Sequence, residues 1–176
     1  AVTTTLNGSF GSMLAVDGAG FLLNNEMDDF SAKPGEPNMF GLTGAEANAI
    51  EPGKRMLSSM TPTIVARDGK VRMILGAAGG PRIITAVLQN FLNLAVFDMN
   101  AAEAIAAPRF HHQWLPDQIS VESYALSADT QKILEERGHR IAPISNVGRV
   151  HLIYVDEEGN IYGEPDPRGD GSAKGF

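Results

Sequence analysis

The 176-residue sequence contains no cysteine. Disulfide bonds, thiolate metal sites and cysteine nucleophiles are therefore excluded. No run approaches the roughly 18 consecutive apolar residues that a membrane-spanning helix requires, so we expect no membrane span in this chain. The sequence has 14 basic residues against 21 acidic ones, giving a net charge of −7. Because nucleic-acid binding needs clustered Lys and Arg, and these are scattered, we expect no nucleic-acid partner.

The remaining composition is that of an ordinary globular protein, with 43% hydrophobic and 20% charged residues. A chain of this length is long enough to bury a core, and we predict a single domain over residues 1–176. The sequence opens Ala-Val-Thr-Thr-Thr, without a Met or a visible signal peptide. That opening is typical of a chain cut from a longer one.

Strand and turn patterns alternate with a few helical ones, which predicts an α+β fold with largely antiparallel sheets. Asp68-Gly69 is a strong hairpin signal between strands at 61–66 and 70–75. A second hairpin is predicted around residues 156–159. The other predicted strands are 2–6, 9–16, 20–23, 119–122, 139–142, 150–155 and 160–163.

Three helices are predicted in the second half of the chain. Pro81 suits the first position of a helix that runs to about residue 97. The helical spacing of its apolar residues predicts a core helix; those residues are Ile84, Val87, Leu88, Phe91, Leu92 and Ala95. Asn100 is a candidate N-cap for a helix over 101–107. A third helix follows Ser127 and ends at Gly138.

The segment 33–54 is rich in Pro and Gly and has little periodicity. A loop of this length inside a compact domain is usually functional or mobile. We interpret it as a lid or wall over a site, with a plain linker as the alternative.

An acidic cluster precedes this segment at residues 24–29, where Glu26, Asp28 and Asp29 repel one another. A fold keeps such groups together when they are solvated or bind something cationic. The spacing matches no calcium loop and no histidine is close in sequence, so a pocket for an ammonium group is favoured over a metal. We expect no metal and no cofactor.

Two further groups could bind the negative parts of a ligand. Ser58 and Ser59 precede a strand and either satisfy turn backbone or hold a carboxylate; neither lies in a nucleophile elbow. Gly79 and Gly80 precede the Pro81 helix. They form either a tight turn or a site whose N–H groups bind an anion or developing oxyanion. Together with the acidic cluster, these groups describe a pocket for a zwitterion such as an amino acid or a γ-glutamyl group.

His111 and His112 are adjacent, so their side chains point in different directions and rarely chelate one ion together. Since Trp114 is nearby, a packing or hydrogen-bonding role is favoured over a metal or base role.

The sequence closely resembles the γ-glutamyltransferase (γ-glutamyl transpeptidase) family, in order and over essentially the whole chain. The resemblance is carried by residues 22–31 (LLNNEMDDFS), 57–63 (LSSMTPT), 79–84 (GGPRII), 107–116 (APRFHHQWLP) and 166–168 (DPR). It implies an N-terminal-nucleophile hydrolase with a four-layer αββα sandwich, of which this chain would be the small-subunit portion without its first strand. The implied partner is a large subunit from the same precursor.

The resemblance also implies a chemistry. The precursor cleaves itself, and the catalytic threonine that begins the small subunit attacks the γ-glutamyl amide of glutathione or a related donor. Water or an amino acid then receives the γ-glutamyl group. That threonine is expected upstream of Ala1. The family's habit implies a periplasmic or secreted protein.

Individual roles follow from matching positions. Thr5 matches a threonine that supports the nucleophile, and Asn7, Glu26 and Asp29 match residues that hold the donor's α-amino group. Ser58 and Ser59 match residues that bind its α-carboxylate. Gly79 and Gly80 match the oxyanion hole. Phe40 stands at a lid position that is a tyrosine in some bacterial members.

Two alternative functions remain open from the sequence. One is a related acylase that acts on cephalosporins or on poly-γ-glutamate. The acidic pair Glu26 and Asp29 argues for a free γ-glutamyl head group instead. The other is a non-catalytic binding homologue.

Overall fold

The computed structural model describes residues 3–175. The chain divides into two compact units, Val2–Ser59 and Met60–Phe176, which we call the N-terminal unit and the C-terminal unit. The expectation of a single domain completed by a large subunit stays a prediction.

The N-terminal unit is built from turns. It contains two short 3-10 helices, Glu26–Asp29 and Glu46–Asn48. The strands predicted at 9–16 and 20–23 are wrong, because the structure has only the single antiparallel bridge Ala15–Leu22 there. Positive φ angles at Gly11, Met13 and Gly18 (54°, 62° and 75°) bend the chain away from a ladder. Residues 3–6 of the predicted strand 2–6 are not a strand, and residue 2 lies outside the described residues.

The C-terminal unit holds two sheets among the described residues. The first has the order β1-β2-β6-β7 and is antiparallel throughout. The second has the order β3-β4-β5, in which β3–β4 is antiparallel and β4–β5 is parallel. The strands are β1 (Thr63–Arg67), β2 (Lys70–Ala78), β3 (Phe110–His111), β4 (Ile119–Val121), β5 (Ile141–Pro143), β6 (Arg149–Val155) and β7 (Ile161–Pro165).

The β1–β2 hairpin is confirmed. Arg67 pairs with Lys70, and the two turn residues Asp68 and Gly69 both have positive φ, 53° and 74°. Two left-handed residues in a two-residue loop give the turn twist that matches the flanking strands. The second predicted hairpin is also present, with Val155 paired to Ile161.

In the described part of the C-terminal unit there are three α-helices: α1 (Ile83–Ala95), α2 (Ala101–Ala106) and α3 (Ala128–Glu136). A 3-10 turn over Gly80–Arg82 takes the place of the predicted first turn of α1. The predicted N-cap of α2 is confirmed, and α3 starts directly after Ser127 as predicted. The Asn100 and Glu103 side chains form a reciprocal capping box, and Ser127 accepts a hydrogen bond from Thr130 N.

The core of the C-terminal unit is formed by α1 and α2 packed with residues of β2 and β6. The face of α1 that is buried differs from the predicted one. Ile84 and Leu88 are 64% and 50% exposed. The buried stripe of α1 consists of Ile83, Ala86, Val87, Asn90 and Leu94. Because one of these residues, Asn90, is polar, the stripe does not stand out as an apolar pattern in the sequence.

Candidate functional site

The three carboxylates of the acidic turn in the N-terminal unit have different surroundings. Asp28 holds the long loop, because its carboxylate accepts a hydrogen bond from Met39 N (3.1 Å) and its carbonyl accepts one from Asn38 Nδ2 (3.3 Å). Glu26 is half-buried. Asp29 is 6% exposed, and its Oδ2 has no hydrogen-bond partner.

An unpartnered buried carboxylate oxygen is expensive, since desolvating the charge is not compensated by a donor. A ligand cation or N–H donor removes that penalty when it binds. Among residues 3–175, no group of three His, Cys, Asp or Glu side chains could hold a metal ion. A buried carboxylate oxygen without a partner is suited to an ammonium group, which supplies both charge and N–H donors.

Thr5 and Asn7 lie beside this acidic turn. Thr5 Oγ accepts a hydrogen bond from Asn7 N (2.9 Å), which fixes Asn7 in a left-handed conformation with φ of 69°. Asn7 Nδ2 then donates to Asn25 O (3.4 Å), and Asn25 N donates to Leu6 O (3.1 Å). Asn25 is the residue immediately before the Glu26–Asp29 turn. The structure thus brings four predicted site residues together within one unit, namely Thr5, Asn7, Glu26 and Asp29.

Asn48 connects the acidic turn to the segment that precedes the serine pair. Its Nδ2 donates to Asp29 O (2.8 Å), and its Oδ1 accepts from Leu57 N (3.0 Å). One amide therefore fixes the backbone of Asp29 and of the residue next to Ser58. Sequence reasoning missed Asn48, because an asparagine inside a Pro/Gly-rich loop has no pattern that distinguishes it from a turn residue.

The long loop folds onto itself around Asn38. The Oδ1 atom of Asn38 accepts hydrogen bonds from Phe40 N and Leu42 N, both at 3.0 Å. Phe40 is half-buried in this turn. The loop returns past Ser31 at Gly44, where a Cβ atom would stand 1.9 Å from Ser31 Oγ, so a larger residue at position 44 would force the Ser31 side chain to move.

Gly79 and Gly80 lie in the C-terminal unit, where β2 ends and the 3-10 turn before α1 begins. Their φ angles are 151° and 58°, values that favour glycine. A Cβ on Gly79 would stand 2.7 Å from the Cα of Gly148. The close approach of the two backbones therefore depends on glycine at both Gly79 and Gly148. Exposed N–H groups beside a helix start are suited to a developing oxyanion.

A buried ion network fixes the segment that contacts Gly79. Arg109 is 1% exposed and donates to Asp166 (2.8 Å) and to the carbonyls of Val147 (3.4 Å) and Gly148 (3.2 Å). The Asp166 carboxylate in turn accepts from Val150 N (2.7 Å). The network therefore positions the backbone that packs on Gly79.

Glu122 and Arg168 complete this network. The Glu122 carboxylate accepts four hydrogen bonds: from Arg168 Nε (2.8 Å), Arg168 Nη2 (2.6 Å), Val147 N (2.6 Å) and Arg109 N (2.9 Å). Although burial opposes ionisation, the bond from Arg168 and the two backbone N–H groups lower the pKa of Glu122. Burial likewise opposes ionisation of Asp166, but its bonds to Val150 N, Arg168 N and Arg109 lower its pKa. Arg109 and Glu122 carry no sequence pattern that predicts this role.

The two adjacent histidines point to different partners. The Nδ1 and Nε2 atoms of His111 contact Thr85 Oγ and Gln113 Oε1, whereas His112 Nε2 contacts Asp117. The predicted hydrogen-bonding role is confirmed.

Solved structures identify the fold. The chain superposes on a mutant of the Helicobacter pylori gamma-glutamyltranspeptidase with a TM-score of 0.90 and 51% identity, covering 96% of this chain and 92% of that one. It superposes equally well, at 0.90 and 47% identity, on the Pseudomonas nitroreducens gamma-glutamyltranspeptidase complexed with L-DON, covering 99% and 92%. The fold is therefore the α+β fold of the N-terminal-nucleophile hydrolases.

The gamma-glutamyltranspeptidase family model matches residues 1–176. The glutathione hydrolase proenzyme of Escherichia coli K12 is 53% identical over 168 residues, which cover 96% of this chain and 29% of that protein. The chain belongs to the gamma-glutamyltranspeptidase family. It spans about 30% of the length of the curated relatives it matches.

Proposed function

We propose that this chain is the small subunit of a γ-glutamyltransferase. The enzyme cleaves the γ-glutamyl amide of glutathione and related compounds and transfers the γ-glutamyl group to water, an amino acid or a dipeptide. Family membership supports the reaction class. The observation that carries the substrate assignment is the buried, unpartnered Oδ2 of Asp29, which is suited to a cationic ligand such as the α-amino group of a γ-glutamyl donor.

The zwitterionic head group of the donor is proposed to bind in the N-terminal unit. Asp29, with Asn7 and Glu26, holds the α-amino group. Ser58 and Ser59 hold the α-carboxylate. The Asn7 side chain donates a hydrogen bond to the carbonyl of Asn25, the residue directly before the turn that contains Asp29. This connection between Asn7 and the turn supports a shared role. A fixed carboxylate gains more from an ammonium group than a mobile one, because less conformational entropy is lost on binding.

For the chemical step, we propose a nucleophile from outside this sequence and supporting groups from within it. The nucleophile is a threonine of the precursor that lies outside the sequence, and Thr5 supports it. The backbone N–H groups of Gly79 and Gly80 stabilise the oxyanion of the tetrahedral intermediate. The positive φ of Gly79 and its close contact with Gly148 support this role, since a fixed turn needs no reorganisation in the transition state.

A large subunit from the same precursor is the proposed partner, and it carries the rest of the donor site. The relatives named as proenzymes support this view. Among the described residues, no helix is long and apolar enough to cross a membrane. We place the protein in the periplasm or outside the cell, as the family resemblance implies.

The acylase, capsule and binding-protein alternatives are not favoured. The relatives and structures at 47–53% identity are named as glutathione hydrolases or gamma-glutamyltranspeptidases. The unpartnered Oδ2 of Asp29 also favours a free amino group over an acylated one, because an acylated nitrogen carries no charge.

The experiment is turnover of a γ-glutamyl anilide by the two-chain protein, with and without glycylglycine. Anilide release that speeds up with the dipeptide supports a transferase, and release that is indifferent to it supports a hydrolase. The Asp29→Asn variant should lose most of kcat/KM. Asp17→Asn, which makes the same change at an exposed position of the same unit, should not. No release from protein that carries the N-terminal threonine would refute the proposal.

A further inference from the structure

His111 is a buried histidine that the proposed reaction does not use. It lies on β3 and is 5% exposed. Both ring nitrogens have a close partner: Nδ1 is 2.7 Å from Thr85 Oγ, and Nε2 is 2.7 Å from Gln113 Oε1. A neutral imidazole carries one proton, on either Nδ1 or Nε2. Which of the two nitrogens carries it depends on whether the neighbouring group donates or accepts a hydrogen bond.

Gln113 fixes the tautomer of the neutral ring. Its Nε2 donates to Leu115 O at 2.9 Å, so its Oε1 is the atom that faces His111. A carbonyl oxygen only accepts, and His111 Nε2 therefore carries the proton. The neutral ring has one N–H, so its Nδ1 accepts a hydrogen bond, and the donor is the hydroxyl of Thr85.

The Thr85 hydroxyl has a second acceptor within reach. Its Oγ lies 3.1 Å from Arg82 O, but one proton cannot serve both acceptors. With neutral His111 the proton points to the ring. When His111 is protonated, Nδ1–H donates to Thr85 Oγ, and the hydroxyl proton turns to the Arg82 carbonyl. The hydroxyl thus has two positions that the charge of His111 selects.

The Arg82 carbonyl belongs to the turn that carries the glycine pair. The peptide between Arg82 and Ile83 has Arg82 O at one end and Ile83 N–H at the other, and that N–H donates to Gly80 O. Arg82 N also bonds Gly79 O at 3.4 Å. When the Thr85 hydroxyl proton points to Arg82 O, three hydrogen bonds connect the imidazole of His111 to the backbone of Gly80: His111–Thr85, Thr85–Arg82 O and Ile83 N–Gly80 O.

We propose that His111 is a positioning residue for the Gly79–Gly80 turn: the neutral ring keeps the Thr85 hydroxyl turned away from the Arg82 carbonyl, which leaves the turn in its active arrangement, and protonation turns that hydroxyl onto the carbonyl and shifts the turn. This inference rests on the proposed oxyanion role of the glycine pair. It makes His111 a proton-controlled support of the transition state, without contact between His111 and the substrate.

The charges around His111 favour the neutral ring. Burial lowers the pKa of His111, and the Arg82 guanidinium and His112 lower it further, against an opposing contribution from the Gln113 bond. The neighbours from the other packed elements, Ser120 on β4 and Gln89 on α1, are neutral. At acid pH the ring becomes a buried cation beside Arg82. Repulsion between the two then displaces the residue that ends the turn.

The first measurement is the tautomer of His111 in the two-chain protein, by long-range proton–nitrogen NMR near neutral pH. The proposal requires a protonated Nε2 and an unprotonated Nδ1. A protonated Nδ1 on the neutral ring would overturn it. This readout does not depend on turnover, so it separates failure of the switch from failure of the proposed reaction.

The second measurement is kcat for the γ-glutamyl anilide between about pH 4.5 and pH 8. In the wild type, kcat should fall about tenfold per pH unit below the pKa of His111. His111→Asn keeps a polar group near the Nδ1 position but cannot titrate, so this acid limb should disappear. His112→Asn removes the exposed neighbour and should keep the limb. An acid limb unchanged in His111→Asn would contradict the proposal.

Thr85 provides an independent pair of variants in case His111→Asn does not fold. Thr85→Ser keeps the hydroxyl and should keep the acid limb. Thr85→Val removes the hydroxyl at nearly constant volume, so the limb should be lost although His111 still titrates by NMR. A role in packing alone would give the two variants the same pH profile, and that result would also overturn the proposal.

Discussion

Glu122→Gln is the sharpest perturbation of the buried network that supports the C-terminal unit. The change keeps the volume of the side chain, so it creates no cavity. It replaces one carboxylate oxygen by an NH2 group. Each oxygen of Glu122 accepts two hydrogen bonds, one from Arg168 and one from a backbone N–H. Whichever oxygen is replaced, two donors then face a donor.

The magnitude follows from this count. A hydrogen bond to a charged group contributes about 1.5–3 kcal/mol, so the loss of two costs about 3–6 kcal/mol. Removal of one partner of a buried ion pair gives a similar value, about 3–5 kcal/mol, because two buried guanidinium groups, Arg109 and Arg168, then share the single carboxylate of Asp166. For a domain of this size, a loss of 3–5 kcal/mol corresponds to a decrease in Tm of about 6–20 °C.

The assay is scanning calorimetry of the two-chain protein, with Glu103→Gln as the matched control. Glu103 accepts one capping hydrogen bond from Asn100 N, and Gln caps in the same way. The control should therefore shift Tm by no more than about 2 °C. Equal Tm values for Glu122→Gln and Glu103→Gln would refute the reasoning.

Three further predictions follow from the contacts. The folded-state pKa values of Glu122 and Asp166 are below their usual 4.5 and 3.8. Their stabilisation is therefore present above about pH 4.5 and lost as the pH falls through the folded-state values, and pH-dependent calorimetry should show a shallower acid loss in Glu122→Gln. Gly79→Ala places a Cβ into neighbouring backbone; kcat should fall by at least about tenfold with little change in KM, and an unchanged kcat would remove the oxyanion role. Asn48→Asp loses the donor to Asp29 O; KM for the γ-glutamyl anilide should rise by about 5- to 100-fold, and an unchanged KM would show that Asn48 does not position the pocket.

The elements with local causes were predictable from the sequence. Asp68-Gly69 specifies its hairpin, because both positions need positive φ. Asn100 specifies the start of α2, because its side chain and that of Glu103 satisfy the free N–H groups. The acidic turn and the glycine pair were also predicted from local sequence. Three carboxylates within four residues, or two consecutive glycines before a helix, are compatible with only a few kinds of structure or binding site.

The features that depend on distant contacts were not predictable. α1 has two apolar stripes, and only packing against β2 and β6 decides that the one with Asn90 is buried. Asn48, Arg109 and Glu122 act through partners far away in sequence, and a single sequence does not show those partners. The short strand β3 was missed because two residues are too few for a periodic pattern.

The central claim is that Asp29 binds the α-amino group of a γ-glutamyl donor. It is tested most directly by comparing γ-glutamyl anilide with glutaryl anilide, which lacks only that amino group, in the wild-type two-chain protein and in Asp29→Asn. We predict that wild-type kcat/KM favours the γ-glutamyl compound by about 30- to 1,000-fold, as expected for a buried charge pair. The variant should lose nearly all of this preference. A preference that survives in Asp29→Asn would contradict the account.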